Sequence, residues 1–264
     1  MVLSIEGVEL DDLKINILYV YYEPFPSGQS THVASIIMQL DRSKFTPFLV
    51  LPENFEHFIE KYNFPGLKII PMPMKKMYWP LASMKKFVAT IKKYDIKIVH
   101  VHSQEASFVA RILAKLAGVK KIVYTPQTID VRNKKLFGLY KLFECLLSKI
   151  TTILISVNEK DRVRLIQWGI SANKIKTIYN GIDLNHNMWH ERNQNIDSES
   201  PVILQVGRLS PQKDPVKFIE GAKLVLETFP KAKFLMVGNG PLRNEVEVKI
   251  SDLELRDKVS VIGY

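Results

Sequence analysis

One cysteine, Cys145, stands in the 264 residues. That excludes an intrachain disulfide and a four-cysteine zinc site. Set in the apolar run Leu142-Phe143-Glu144-Cys145-Leu146-Leu147, it is expected to be a buried, inert thiol. No apolar run reaches the ~18–20 residues that a membrane-spanning helix needs. The N-terminal stretch carries Glu6, Glu9, Asp11 and Asp12, where a secretory leader needs basic residues and then an unbroken apolar segment. Internal repeats and low-complexity tracts are also missing. These absences predict a cytoplasmic protein, soluble or peripheral at the inner face of the membrane. What the sequence does have is apolar residues, 46% of the total, enough to bury a real core in one complete α/β domain and part of another, since domains run about 100–200 residues. Lys and Arg outnumber Asp and Glu by 37 to 27, an excess that favours phosphates, nucleic acid or an acidic lipid surface as partners. Nucleic acid is set aside, because the basic residues lack interleaved aromatic platforms and any known module signature.

Short β-branched runs alternate with longer amphipathic ones, the pattern of a parallel sheet with crossover helices. Strands are expected over 15–21, 47–51, 67–71, 97–101, 121–125, 151–156 and 174–179, with helices such as 31–40, 84–94, 107–116 and 134–147. The expected organisation is a Rossmann-like domain over 14–184, a polar linker over 185–200, and a second Rossmann-like unit over 201–264. In that second unit, strands at 202–206, 233–237 and 259–262 enclose helices at 215–227 and 243–253, one βαβαβ half of a doubly wound domain. The second unit is therefore expected to be incomplete, with a sheet edge and an apolar face exposed.

The strongest local signal is Val206-Gly207-Arg208-Leu209-Ser210-Pro211-Gln212-Lys213-Asp214, directly after a strand. In open parallel sheets ligands bind outside the carboxyl ends of strands. Gly207 permits close backbone approach, while Arg208 and Lys213 supply a planar fork and a point charge suited to a diphosphate. Val237-Gly238-Asn239-Gly240-Pro241 follows the next strand and sits where phosphates or a base can meet bare backbone. It is not a dinucleotide fingerprint, since Arg243 occupies the place of the third glycine, and taken alone the segment reads better as a tight strand-to-helix turn. In the first domain, Pro24-Phe25-Pro26-Ser27-Gly28-Gln29-Ser30-Thr31-His32 links strand to helix. Gly28 there permits close approach to a ligand, and Ser30 or Thr31 is the expected cap. His32 is expected as a hydrogen-bonding residue of the helix start. His100 and His102 share a strand face, but without a third ligand at suitable spacing they predict no metal site. His102 at the strand tip is placed to touch an acceptor, and Tyr124-Thr125-Pro126-Gln127-Thr128 ends the following strand at the same crevice.

Ser27-Gly28 through His32-Val33, Ile98-Val99-His100-Val101-His102-Ser103, Tyr124-Thr125-Pro126, Lys176-Thr177-Ile178-Tyr179-Asn180-Gly181-Ile182-Asp183, Gly207-Arg208-Leu209 with Lys213, and Gly238-Asn239-Gly240-Pro241 occur in an order that resembles family 4 glycosyltransferases. Each segment is weak alone; their order across residues 15 to 264 is specific. The resemblance implies a GT-B fold of two Rossmann-like domains, with acceptor on the N-terminal domain and nucleotide-sugar donor on the C-terminal one. It implies metal-independent transfer with retention of anomeric configuration, to a glycan, lipid-linked or small-molecule acceptor. It also implies that Arg208 and Lys213 hold the donor diphosphate, with Gly28, His102, Gln127, Gly207, Gly238 and Gly240 lining the substrates. This chain departs from the family pattern at Ser27, where a glycine is common, and at Gln127, where many members carry histidine. Gln127 hydrogen-bonds but does not titrate. The family's pair of donor-sugar glutamates would follow the C-terminus and is absent from this sequence. Two other readings stay open at this stage: an inactive fragment or subunit, and a sugar-nucleotide epimerase of the same fold.

A last expectation concerns 72–81 and the helix behind it. Lys75, Lys76, Lys85, Lys86, Lys92 and Lys93 lie near Met77, Tyr78, Trp79 and Phe87, a mixture suited to an anionic membrane surface. The alternative is that Met84, Phe87, Val88 and Ile91 face the core and the lysines are solvated.

Overall fold

The computed structural model describes residues 14–22, 28–53, 64–74, 78–127, 129, 134–182 and 200–263. The chain divides into two compact units, Met1–Asn187 and Met188–Tyr264. The expected linker over 185–200 lies outside the described residues except at Ser200.

The first unit is built on a parallel sheet of seven strands: β1 (Ile15–Val20), β2 (Phe45–Leu51), β3 (Lys68–Pro71), β4 (Ile98–His102), β5 (Lys121–Thr125), β6 (Ile153–Ser156) and β7 (Ile175–Thr177). Their spatial order is β3-β2-β1-β4-β5-β6-β7. Strand β1 is an unbroken apolar run apart from Asn16 because both of its faces are covered. Leu18 and Val20 join Val99, Val101, Tyr124 and Leu154 in one core, while Ile17 and Tyr19 pack with Val33, Ala34 and Ile37 on the other side. The strand order reverses between β1 and β4, and their carboxyl ends mark the switch point where such folds place ligands.

Five α-helices of this unit are described: α1 (Gly28–Met38), α2 (Leu81–Lys93), α3 (Gln104–Leu116), α4 (Lys134–Ser148) and α5 (Glu159–Gln167). Helix α1 begins at Gly28 rather than at 31. Ser30 and Thr31 are thus first-turn residues instead of caps, and Ser30 is buried against the core. Small polar residues are tolerated there because first-turn amides need no intrahelical acceptor. Helix α5 starts as its sequence dictates, with the Asn158 side chain accepting from the Asp161 amide at 2.7 Å.

The membrane surface expected at 72–81 and α2 is not available as drawn. Trp79 and Phe87 are fully buried and meet edge to face at 5.2 Å between ring centroids, because α2 turns its apolar stripe onto the sheet beside Ile91 and Met72. Tyr78 remains exposed; Lys75, Lys76 and Met77 lie outside the described residues. Cys145 is only half-buried, and its thiol donates to the Trp168 carbonyl at 3.0 Å.

Between α3 and α4 lies a buried ion pair. Arg111 Nη2 donates to Glu144 Oε1 at 2.7 Å, with both side chains wholly out of solvent. The guanidinium also donates to the Ser107 carbonyl and hydroxyl and to Thr151 Oγ1, and it stacks 4.0 Å from the centroid of the Tyr124 ring. The C-terminus of α4 is closed by Lys174, whose ammonium donates to the carbonyls of Ser148, Lys149 and Thr151, a cation where the helix dipole favours one. Lys174 thereby belongs to a 3₁₀ turn, Ala172–Lys174, and β7 starts one residue later than expected.

The second unit contains β8 (Val202–Val206), α6 (Pro215–Thr228), β9 (Lys233–Val237), α7 (Arg243–Asp252) and β10 (Val259–Ile262), in parallel order β10-β9-β8. Both helices cover one face, where Ile219, Phe234, Met236, Val246 and Val259 form the core. On the other face Val202, Leu204 and Val206 are more than half exposed, the open apolar face that the pattern anticipates.

The Arg111–Glu144 pair has a stability consequence. Removing one partner strands a buried charge, so Glu144→Ala should cost about 3–5 kcal/mol, read from denaturant unfolding. The double variant Arg111→Met/Glu144→Leu should lose much less than the single one. Equal losses in both would show that packing, rather than an uncompensated charge, sets the cost.

Candidate functional site

In the second unit two loops leave the carboxyl edge of the sheet side by side and are joined through their backbones. The Gly207 amide donates to the Val237 carbonyl at 2.9 Å, the Leu209 amide to the Asn239 carbonyl at 3.0 Å, and the Leu242 amide back to the Leu209 carbonyl at 3.1 Å. Such proximity leaves no room for side chains. A Cβ on Gly238, which has φ +148°, would overlap the Gly207 carbonyl, with the carbonyl carbon 2.9 Å away. A Cβ on Gly240 would stand 2.7 Å from the carbonyl carbon and 2.8 Å from the nitrogen of Leu209. These two glycines are thus accounted for by loop-to-loop packing, the tight-turn reading of the sequence. Gly207 differs: the nearest atoms to a Cβ there are methylenes of Lys213 at 3.8 and 4.0 Å.

The first loop carries the cations. Arg208 and Lys213 are both exposed, on either side of the buried anchor Leu209. The Lys213 amide closes a turn onto the Ser210 carbonyl at 2.9 Å, and the Lys213 carbonyl accepts from Gln205 Nε2 at 3.3 Å. Asp214 then takes a left-handed conformation, φ 46° and ψ 58°, and Pro215 opens α6, whose first turn holds no acidic residue. A helix N-terminus and two solvent-facing cations at one strand end make a site for a multiply charged anion.

In the first unit the switch point gathers Gly28, His32, His102, Ser103, Thr125 and Gln127. Gly28 is the first residue of α1, and among the described residues nothing lies within 4 Å of a Cβ there. His102 was expected at an accessible strand tip; it is completely buried. Its ring lies 4.0 Å from His100, 5.7 Å from His32 and 6.1 Å from Tyr19, centroid to centroid. His32, on α1, packs edge-on against the His102 ring. His100 shares a 2.8 Å hydrogen bond with Thr125 Oγ1, whereas neither ring nitrogen of His102 has a partner among the described residues. Burial pushes the His100 pKa down to about 3, with His32 adding to the effect. Burial likewise holds His102 well below its ordinary value, helped by His100 and His32. Both rings are therefore neutral at physiological pH. Among the described residues no group of three or more His, Cys, Asp or Glu is placed to hold a metal ion.

Gln127 is half-buried and its carbonyl oxygen accepts from Asn180 Nδ2 at 3.1 Å. Two of the sequence segments singled out above, separated by more than fifty residues, thus meet at the ends of β5 and β7. Ser103 is a residue that sequence reasoning passed over. It has φ +78° with ψ 145° and a buried hydroxyl lacking a partner among the described residues. A non-glycine residue held in this region costs on the order of 1–3 kcal/mol, and nothing in a strand-end serine announces it.

Comparison with known proteins follows the same division. The family profile described as Glycosyltransferase Family 4 matches residues 26–186, and that of Glycosyl transferases group 1 matches 188–264. The chain is 29% identical to an Escherichia coli UDP-Gal:alpha-D-GlcNAc-diphosphoundecaprenol alpha-1,3-galactosyltransferase, aligning over 95% of this chain and 69% of the relative. It is 24% identical to a Campylobacter jejuni N-acetylgalactosamine-N,N'-diacetylbacillosaminyl-diphospho-undecaprenol 4-alpha-N-acetylgalactosaminyltransferase, over 94% and 69% of the two chains. Among solved structures, Anabaena HepE in complex with UDP and glucose superposes with TM-score 0.75 at 19% identity, over 95% of this chain and 69% of that one. The UDP-GlcNAc 2-epimerase of Neisseria meningitidis reaches TM-score 0.60 at 14% identity, over 95% and 72%. At these identities the structural likenesses establish the fold and no more.

Two outcomes follow from the site geometry. Gly240→Ala should lower stability by about 1–3 kcal/mol through overpacking, while Gly207→Ala leaves thermal unfolding nearly unchanged; equal effects would contradict the loop-packing account. For the histidines, the folded values lie below the ordinary 6.5, so the unfolded chain binds more protons. Their stability contribution is complete above pH 6.5 and is lost as pH falls toward the folded value of His100, about 3. Over the upper part of that window, down to about pH 5 where carboxylates still keep their charge, His102→Phe should flatten the stability profile. An unaltered slope would show that other groups govern it.

Proposed function

The chain belongs to glycosyltransferase family 4, and on that premise we propose that it moves a sugar from a UDP-sugar to a lipid-linked diphosphate acceptor, with retention at the anomeric carbon and without a divalent ion. The donor diphosphate rests on the second unit, against Arg208, Lys213 and the N-terminus of α6; the acceptor is handled by the first unit, near Gly28, Gln127 and Asn180. As the anomeric carbon leaves the diphosphate oxygen and bonds the acceptor oxygen, negative charge grows on the departing UDP. Fixed cations aimed at that charge stabilise the transition state by on the order of 3 kcal/mol per good contact, and they supply the role that a metal ion plays elsewhere.

The observation carrying this reading is the pair of joined loops at the carboxyl edge of β8 and β9, which present Arg208 and Lys213 to solvent over a backbone stripped of side chains at Gly207. Support for the substrate classes comes from the relatives. The Escherichia coli and Campylobacter jejuni proteins are named for diphosphoundecaprenol-linked substrates, and HepE is solved with UDP and glucose.

Replacing Arg208 or Lys213 with Ala should reduce transfer at least about tenfold without lowering the melting temperature, because both side chains project into solvent. Activity should persist in EDTA, and the product should keep the donor's anomeric configuration. Unchanged turnover in both variants would remove the site assignment, and a free epimerised UDP-sugar formed without acceptor would replace transfer with epimerisation.

A further inference from the structure

Helices α3 and α4 carry large apolar residues on their outer faces and a buried ion pair between them. On α4 the residues facing inward include Tyr140, Glu144 and Ser148, whereas Leu139, Leu142, Phe143 and Leu146 are 41–55% exposed. Those four recur at i, i+3, i+4 and i+7, a complete apolar stripe that points to solvent. Helix α3 faces the core with Ala106, Ala110 and Ala114 as well as with Ser107 and Arg111, all of them buried, while Ile112 and Leu116 are 45% and 76% exposed. The stripes adjoin, because Phe108 meets Phe143 edge to face at 5.5 Å and Ile112 lies one turn on from Phe108. Apart from the Phe108–Phe143 contact, the stripe stays largely exposed among the described residues. The Arg111–Glu144 pair, costly to bury, occupies the inner side where leucines would ordinarily go.

The charged side chains described at the rim of the patch have one sign. Lys115 and Lys149 are exposed and Lys141 is half-buried, and no acidic side chain among those described on the two helices reaches solvent. We propose that the α3–α4 face docks this protein in the headgroup region of an anionic bilayer, with the leucine stripe entering the acyl boundary and the lysines meeting acidic headgroups. An apolar face ringed by lysine fits such a surface. A symmetric second copy fits it poorly, since a two-fold contact sets the same lysine rim against itself. Among the described residues no helix is long and apolar enough to cross a membrane, so the contact is interfacial. It replaces α2 as the docking element, and it stands apart from the transfer reading because it is measured without donor or acceptor.

Co-sedimentation with vesicles of phosphatidylcholine, alone or mixed with phosphatidylglycerol, tests it. The full chain should bind the mixed vesicles, and binding should weaken as salt is raised. Leu142→Glu/Leu146→Glu should lower partitioning on the order of tenfold or more while circular dichroism and melting stay unchanged, since both positions are exposed. Lys115→Glu/Lys149→Glu, a variant that leaves the stripe intact, should also weaken binding, about fivefold per charge removed, and more than Lys85→Glu/Lys86→Glu on α2 does. Equal partitioning into neutral and mixed vesicles would overturn the proposal, as would wild-type binding by the leucine variant. So would a solution dimer that the leucine variant dissociates, with no vesicle binding by the parent, which would assign the face to a protein contact.

Discussion

Every described strand pairing in both sheets is parallel, and that single constraint distributes the rest of the molecule. A parallel strand is re-entered only after a crossover, so successive helices start at one edge of the sheet, with their unpaired amides and positive dipole ends aimed there. Whatever binds at that edge meets amides, glycines and short loops before it meets side chains. In the second unit this edge holds Arg208 and Lys213 beside the start of α6. In the first it holds Gly28 at the start of α1 and the Gln127–Asn180 contact at the ends of β5 and β7. The fit of this edge to an anion thus follows from the sheet's polarity, and the two cations sharpen it.

Backbone conformational cost is shared between this edge and the opposite one, where Asp95 and Glu254 take positive φ after α2 and α7. Ser103 and Asp214, both with positive φ, stand at strand-to-helix turns, after β4 and before α6. At Ser103 the chain passes from β4 to α3 within a single residue, whereas Asp214 closes the longer loop between Val206 and Pro215. Beneath Ser103 the histidine cluster is kept neutral by burial, so this part of the first unit offers hydrogen-bonding imidazoles rather than charges. The two units divide the electrostatics accordingly: exposed cations at the loop of one, buried neutral imidazoles at the strand ends of the other.

Much of this was legible in the sequence because continuous apolar runs report strands buried on both faces. The strands at 121–125, 202–206, 233–237 and 259–262 have the expected bounds. The start of α1 was harder, since Ser30 and Thr31 have the chemistry of caps yet sit inside the first turn. Periodicity located α4 but not its orientation. An apolar stripe ordinarily marks the inward face, and here Glu144 is drawn inward by Arg111, thirty-three positions earlier in the chain, a pairing no local window contains. Trp79 and Phe87 mislead in the opposite sense: beside lysines they resemble a surface segment, and only the packing of α2 on the sheet shows them to be core. Gly238 and Gly240 were legible as a turn, but the carbonyls they accommodate belong to a loop thirty residues away.

The central claim is that the loop from Gly207 to Lys213 recognises a diphosphate. Titration calorimetry of UDP, UMP and uridine tests it most directly, because it separates the phosphate contribution from that of the base. The account predicts that affinity rises steeply from uridine to UDP, and that the rise collapses in Arg208→Ala/Lys213→Ala while uridine binding is retained. A double variant that keeps the full preference for UDP over uridine would contradict it.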